Sequence, residues 1–264
     1  MDLNNKLVLI KAEQTLQQIC CVEAVIEAGG KPILIGSNMN KLAENAEKID
    51  NKYSTETFFS LIDPINESNI IKLQHTIFSK FDSHPDIFIN DSTIDFEHDD
   101  EDNNSKMNLD NMMIEKWDRI IHDRLTSILL LTQTFGRQMA KNDGGVILNI
   151  LSDIYLNPKG NITNKMRKIN DIASITITNG LLGLTKYIAT YWNDKNVRSN
   201  SLTIGAYKQD PLNKKDRAAL IKQIPIGRLA NNDEFKEAII FLISNASSYM
   251  TGSNLVINGG RTCW

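Results

Sequence analysis

KLVLIKAEQTLQQICCVEAVIEAGGKPILIG, Lys6 to Gly36, decides the reading of this chain. KLVLI is a short apolar run of strand length, and KPILIG is a second. Between them Leu16, Ile19, Cys20 and Ala24 recur at helical spacing, and Gly29-Gly30 closes the helix. Strand, turn, helix, turn, strand is the opening unit of a nucleotide-binding α/β protein. Such a unit normally bends its first turn on glycines, so that backbone can approach a phosphate. From Ile10 to Leu16 this chain has none.

Outward from that unit the alternation continues. NKLAENAEKID is a polar-faced helix and ETFFSLID a third strand. NESNIIKLQHTIFSKF is a helix with Asn66 or Asp63 near its start, followed by the strand PDIFIN. NMMIEKWDRIIHDRLTSILLLTQTFGRQMA reads as one long helix with Ile121, Leu125, Ile128, Phe135 and Met139 on its apolar face. GGVILNIL is a fifth strand. After an irregular stretch come the helix ASITITNGLLGLTKYIATYW and the strand VRSNSLTIG. Two further helices follow, LNKKDRAALIKQI and NDEFKEAIIFLIS, the second capped by Asn231 or Asn232, and then the last strand GSNLVINGG. Repeated β-α-β units require a parallel sheet covered on both faces. The expectation is one α/β domain over 1–264: a Rossmann-type, doubly wound parallel sheet of about seven strands.

Composition narrows the function classes. The 264 residues carry a net charge of −3 and no basic stripe, which argues against nucleic acid. No apolar run reaches the length of a membrane span, and no signal-like segment opens the chain. The 3 cysteines, Cys20, Cys21 and Cys263, have no metal-ligand spacing and suit a reducing compartment, so a cytoplasmic protein is expected. Cys20 and Cys21 read as small apolar residues packed in the first helix. The acidic stretch 95–102 reads as a solvated loop; a metal site built on it with His98 is the alternative, without the spacing of a calcium loop.

The order and spacing of KLVLI, PDIFIN, WDRIIHDRLTSILLLTQTF, GGVILNILS, GLLGLTKYIATYW, VRSNSLTIG, PIGRLANNDEFKEAIIFLIS and SSYMTGSNLVINGG resemble the short-chain dehydrogenase/reductase superfamily over almost the whole chain. KYIATYW, IPIGRLAN and INGGRTCW resemble a narrower group, the oxidoreductases of bacterial sialic-acid-like sugar and flagellin-glycan pathways. The resemblance implies NAD or NADP held by a Thr-Gly-x-x-x-Gly-x-Gly turn. Here Lys11 stands for the Thr, and Ala12, Leu16 and Gln18 for the glycines. The sequence after the second strand reads Gly36-Ser37-Asn38, and the acidic position near the adenine falls on Ser60. Asn-Asn-Ala-Gly after the fourth strand is reduced to NDST, keeping Asn90, and the Pro-Gly turn after the sixth becomes Ile204-Gly205.

The resemblance also implies a catalytic Tyr, a Lys that lowers its pKa and holds the ribose, a Ser that orients substrate, and an Asn. Anchoring on GLTK (Gly183–Lys186) puts Ser174 at the Tyr position and Thr178 at the Lys position. Anchoring on WDRII puts Arg124 at the Asn position, and only the Ser survives, as Ser152. A positioned acid/base group contributes about 10² to 10⁴ in rate, and an aliphatic hydroxyl does not ionise near neutrality. A relocated pair of Tyr155 with Lys165, Lys168 or Lys186 is one alternative. Hydrolysis by Ser152 with Asp153 and His122 is another, without a nucleophile-elbow sequence. Arg124 is expected to pair with Asp153 or another acid and fill the old pocket.

The expectation is a catalytically degenerate relative acting as an interaction or regulatory subunit. It has Ser152 as catalytic remnant, Asn90 and Gly205 as cofactor-site remnants, no metal and no cofactor. The partner expected from the resemblance is a second copy, or an active relative in a hetero-oligomer, joined through Trp117–Met139, Ser174–Trp192 and the C-terminal strand and helix. The alternatives are an NAD(P)-dependent oxidoreductase of surface-sugar biosynthesis and a small-molecule sensor using the vacated crevice.

Overall fold

Strand β1, Leu7–Lys11, is buried along its whole length. Its alternate side chains serve two separate cores, as a strand covered on both faces must. Val8 and Ile10 join the core that holds Cys20, Cys21, Ala24 and Val25 of α1 (Leu16–Glu27) and Phe235, Ile239 and Leu242 of α8 (Asp233–Ile243). Leu7 and Leu9 join the opposite core. That core holds Ile70, Leu73 and Ile77 of α3 (Glu67–Phe81), and Leu131, Phe135 and Met139 of α5 (Ser127–Lys141).

The computed structural model describes residues 2–11, 16–92, 109, 112–156, 162–163, 166–167, 172–208, 212–231 and 233–263. Further elements are β2 (Lys31–Gly36), α2 (Met39–Tyr53), β3 (Phe58–Leu61), β4 (Ile87–Asp91), α4 (Ile114–Ile121) and β5 (Gly145–Ser152). A small hairpin β6 (Ile162–Thr163) and β7 (Met166–Arg167) follows, then α6 (Ile172–Tyr191), β8 (Val197–Ile204), α7 (Lys214–Ile221) and β9 (Asn254–Ile257). The main sheet has 7 strands in the order β3-β2-β1-β4-β5-β8-β9, every pairing parallel. The doubly wound sheet expected from the sequence is therefore present. Strand order reverses between β1 and β4, and crevices for ligands open beyond the carboxyl ends of the strands at such a point.

Local chemistry sets several boundaries. Asn66 caps α3, its side chain accepting from the N–H groups of Ser68 and Asn69. Asn38, in the Gly-Ser-Asn segment, caps α2 by accepting from Lys41 N–H at 3.1 Å. Asn231 lies just ahead of α8, where Glu234 accepts its N–H at 2.7 Å, whereas Asn232 lies outside the described residues. The long helix read from 111 to 140 departs from expectation. From Ile114 it runs as α4, loosens into a π-helical turn over His122–Thr126, and resumes as α5. The extra residue rephases the apolar face, so Ile120, Ile128, Leu131, Phe135 and Met139 are buried while Ile121 and Leu125 are only partly so. No helix among the described residues is long and apolar enough to cross a membrane.

Candidate functional site

The carboxyl ends of β1, β4 and β5 carry polar side chains where the core would otherwise continue. Lys11 ends β1 at 5 % exposure, in register with Asn90 of β4, which is in register with Asn149 of β5. A directional chain fixes these amides. Thr185 of α6 donates its hydroxyl to the Leu181 carbonyl at 2.8 Å, so its oxygen accepts Asn149 Nδ2 at 2.9 Å. Asn149 must then turn Oδ1 toward Asn90, which donates Nδ2 at 3.1 Å. Asn90 thus ties β4 to β5, and its own Oδ1 is buried without a hydrogen-bond partner among the described residues.

Ser152 ends β5, half-buried, opposite Ile204 of β8, and its hydroxyl does not cap the 3₁₀ turn Asp153–Tyr155 that follows. Asp153 is buried and receives Arg261 Nη1 on Oδ1 at 2.8 Å. Burial pushes the Asp153 carboxyl above its ordinary range, against the pull of Arg261. Of the acids expected as partners of Arg124, Asp153 is engaged by Arg261, from the turn after β9. Arg124 is instead partly buried in the π-turn, and π-turns inside helices recur at functional sites. His122, in the same turn, is exposed. Gly205 follows β8 and donates its N–H to Ile257 O at 2.9 Å; an added Cβ would stand 2.7 Å from Asn258 Cα. This glycine permits close approach of two backbones.

Helix α6 turns Ala173, Ser174, Ile177, Thr178, Leu181 and Thr185 inward, against the π-turn and the end of β5. Ser174 and Thr178, at 3 % and 4 % exposure, share this buried face as an i, i+4 pair. Lys186 is exposed on α6, off that face. The side chains of Tyr155, Lys165 and Lys168, and the acidic stretch 95–102 with His98, lie outside the described residues, as does the turn 12–15.

With this geometry in hand, the family model described as enoyl-(acyl carrier protein) reductase matches residues 19–262. The chain belongs to the short-chain dehydrogenase/reductase family. It is similar to the 3-oxoacyl-(acyl-carrier-protein) reductase FabG of Aquifex aeolicus, 28 % identical over 90 % of both chains. Among solved structures it is similar to a short-chain dehydrogenase/reductase from Mycobacterium marinum, with TM-score 0.81, 24 % identity and coverage of 100 % and 97 %. A short-chain dehydrogenase from Leptospira borgpetersenii with bound NAD⁺ gives TM-score 0.80 and 24 % identity over 99 % of this chain and 94 % of that one. These likenesses bear on the superfamily and not on the narrower likeness to sugar-pathway oxidoreductases.

In this short-chain dehydrogenase/reductase the family match begins at Ile19, beyond the turn that lacks glycines. The fold brings Ser152, Asp153 and the Ser174–Thr178 face to one end of the sheet, with Asn90 on the neighbouring strand and Lys11 two strands away, as the topology requires. That face offers two short hydroxyls where the family's chemistry calls for a phenol and an ammonium. Lys186 lies off that face, so among the described residues of α6 no cation accompanies the two hydroxyls. Sequence reasoning missed Arg261, Asn149 and Thr185. Asn149 carried a signal, as a polar residue inside the buried run VILNIL. Arg261 carried none, because its partner is 108 residues away.

Proposed function

We propose that this protein is a catalytically degenerate short-chain dehydrogenase/reductase that works as an interaction or regulatory subunit and uses neither NAD nor NADP. One observation carries the reading: Ser174 and Thr178, which the GLTK anchoring sets against the family's Tyr and Lys, share the buried face of α6. Neither hydroxyl can exchange a proton near neutrality, and neither stabilises a neighbouring oxyanion by charge. Loss of both together removes the proton path of a carbonyl reduction. The core around the site is intact, with Asn90, Asn149 and Thr185 in a fixed chain, which suits a protein that uses the folded body without that step. The partner is a second copy or an active relative.

The second reading is an NAD(P)-dependent oxidoreductase with an unusual cofactor grip. It is favoured by the near full-length likeness to the Aquifex aeolicus reductase. Titration with NADH and NADPH, read by nicotinamide fluorescence and calorimetry, separates the two. The degenerate reading expects no saturable binding up to millimolar cofactor. Saturation in the micromolar range overturns it and returns the chain to the reductases.

A further inference from the structure

Helix α7 is anchored on one side and bare on the other. Leu220, Ile224 and the partly buried Ile221 join Ala206 and Leu229 in a small apolar cluster, which fixes the way the helix faces. Its one acid is held by the N-cap: Asn213 accepts the Asp216 N–H at 2.9 Å and donates Nδ2 to the Asp216 carboxylate at 2.8 Å. Arg217 is engaged as well, donating to Lys208 O at 2.8 Å. Lys214, Lys215, Ala218 and Lys222 are left outward, all exposed. Lys214 and Lys215 stand four and three residues before Ala218, and Lys222 four after it, so the four make one ridge. At 1.5 Å per residue the ridge is about 12 Å long. Past its end the chain runs through the exposed Pro225 to Ile226, which is 63 % exposed.

We propose that this ridge is a docking surface for an acidic helix of a partner protein, laid along α7 with carboxylates over Lys214–Lys215 and Lys222 and an apolar side chain on Ile226. Charge is the first support. Ion pairs among the described residues take up Lys6, Lys48, Lys52, Lys80, Lys195 and Lys236, and none takes up Lys214, Lys215 or Lys222. Placement is the second. Lys52, Lys80 and Lys141 stand in the last turns of α2, α3 and α5, where the helix dipole favours a cation, whereas α7 opens on two lysines in succession. Carboxylates set over that first turn answer both the lysines and the dipole. Shape is the third. Ala218, between the cations, lets a second helix come close, and Ile226 offers apolar area beyond them. The same chemistry argues against a lipid surface. Anionic lipid is recognised by clusters of about four to eight cations, and this ridge has fewer, on a chain of net charge −3. The inference concerns the outer surface of residues 213–226 and holds for either reading of the cleft.

Fluorescence anisotropy with a labelled helical peptide tests it, the probe carrying glutamates at i, i+4 and i+8 and a leucine one turn beyond. A scrambled peptide of the same composition, with its glutamates off any common face, is the control. The full chain is expected to bind the first peptide saturably in the micromolar range at low salt, and about tenfold or more weakly at about 1 M salt. Lys214→Glu combined with Lys222→Glu should weaken binding about tenfold or more, and Ile226→Ser severalfold. Lys72→Glu combined with Lys141→Glu changes the net charge equally on other helices and should leave binding unchanged. Equal binding of the scrambled peptide, equal weakening by the two double variants, or no saturation in the micromolar range overturns the proposal. Two further results would reassign the ridge and so overturn it too. One is sedimentation with phosphatidylserine vesicles that is lost in Lys214→Glu/Lys222→Glu, which points to a membrane. The other is a light-scattering mass that falls in the same variant, which points to a second copy.

Discussion

Lys236 shows what a single side chain settles in this protein. Its ammonium is nearly buried between α1 and α8, 2.8 Å from Glu23 Oε2, 2.8 Å from Glu27 Oε1 and 3.3 Å from Asp233 Oδ1. Burial alone would lower its pKa, but hydrogen bonds to Glu23 and Glu27 outweigh it and raise the ammonium well above 10.5. Burial is the largest single influence on Glu27 and raises it, yet hydrogen bonds from Lys236 and Tyr53 and the charges of Lys236 and Lys52 together hold it below 4.5. Lys236→Met leaves the acids facing one another. Removing one partner of a buried pair costs about 3–5 kcal/mol; Glu27 and Asp233 reach water here, so about 2–3 kcal/mol is expected in urea unfolding at neutral pH. The sign with pH follows from each shift. Glu27, depressed, stabilises above its unfolded value and loses that contribution as pH falls through its folded one. Lys236, raised, stabilises below its unfolded value and loses that only in strong alkali. The gap between the two proteins should therefore be full from about pH 5 to 10 and narrow as acid protonates Glu27 in the folded protein; an equal gap at neutral pH and throughout the acid range would mean that packing alone is at stake. The thiols give a second check. Burial pushes Cys20 up to about 12 and raises Cys21 well above the ordinary thiol range, while Cys263 is exposed. A thiol reagent should label one cysteine quickly in the native protein and the other two only on unfolding. The inward place of Cys20 and Cys21 was legible from their helical spacing. The Lys236 cluster was not, since its members are some 200 residues apart in a pattern that reads as ordinary surface charge.

Elements were easier to read than contacts between them. Strands such as LVLIK and IFIND announce themselves as apolar runs because both their faces are covered, and Asn66 marks the start of α3 by its own side-chain chemistry. The π-turn was invisible for a physical reason. One extra residue in a helix shifts the apolar face by about a quarter turn, within the width of an ordinary amphipathic stripe. Gly205 illustrates how a motif position changes meaning once packing is known. Gly205→Ala would drive a Cβ onto the Asn258 backbone, and overpacking of this kind costs about 1–3 kcal/mol, read as a lowered Tm. Full stability in that variant would show that the turn after β9 can yield. Arg198 of β8 makes a comparable tie. Its guanidinium donates to Ser244 O at 3.0 Å, Met250 O at 3.1 Å and Ser247 Oγ at 3.1 Å, behind the C-terminal end of α8. Arg198→Met strands these acceptors and removes a cation from a helix C-terminus. A loss of about 2–4 kcal/mol is expected, with exchange protection falling first over 242–250. A loss below about 0.5 kcal/mol, the scale of surface substitutions, would mean that water replaces the guanidinium without penalty.

At the scale of the whole molecule, the faces that α5 and α6 leave uncovered bear on assembly. Gly136 of α5 lies against the Trp192 ring, just past the end of α6. On the outer side of α6, Gly180, Gly183, Tyr187 and Tyr191 follow one another at helical spacing, all exposed. The Tyr187 and Tyr191 rings stack with centroids 5.5 Å apart, and Leu129 of α5 is 48 % exposed. Glycines along a helix face let a second helix approach closely, and exposed tyrosines supply large contact area at low entropic cost. We therefore expect the protein to assemble through this face, either with a second copy or with an active relative. Light scattering on the eluting peak at micromolar concentration should give a multiple of 29.8 kDa. Gly183→Arg combined with Tyr187→Glu should return the single-chain mass while leaving the far-ultraviolet circular dichroism unchanged, because neither side chain supports the core. A stable interface buries about 1,200–2,000 Å², more than these two positions alone present, so neighbouring side chains of both helices must take part. A single-chain mass for the unaltered protein would remove self-association, and co-purification with a co-expressed active relative would then decide the heteromeric form. A monomer that also ignores such a relative would leave the fold without the partner that the proposed subunit role calls for, and would turn attention back to the crevice itself.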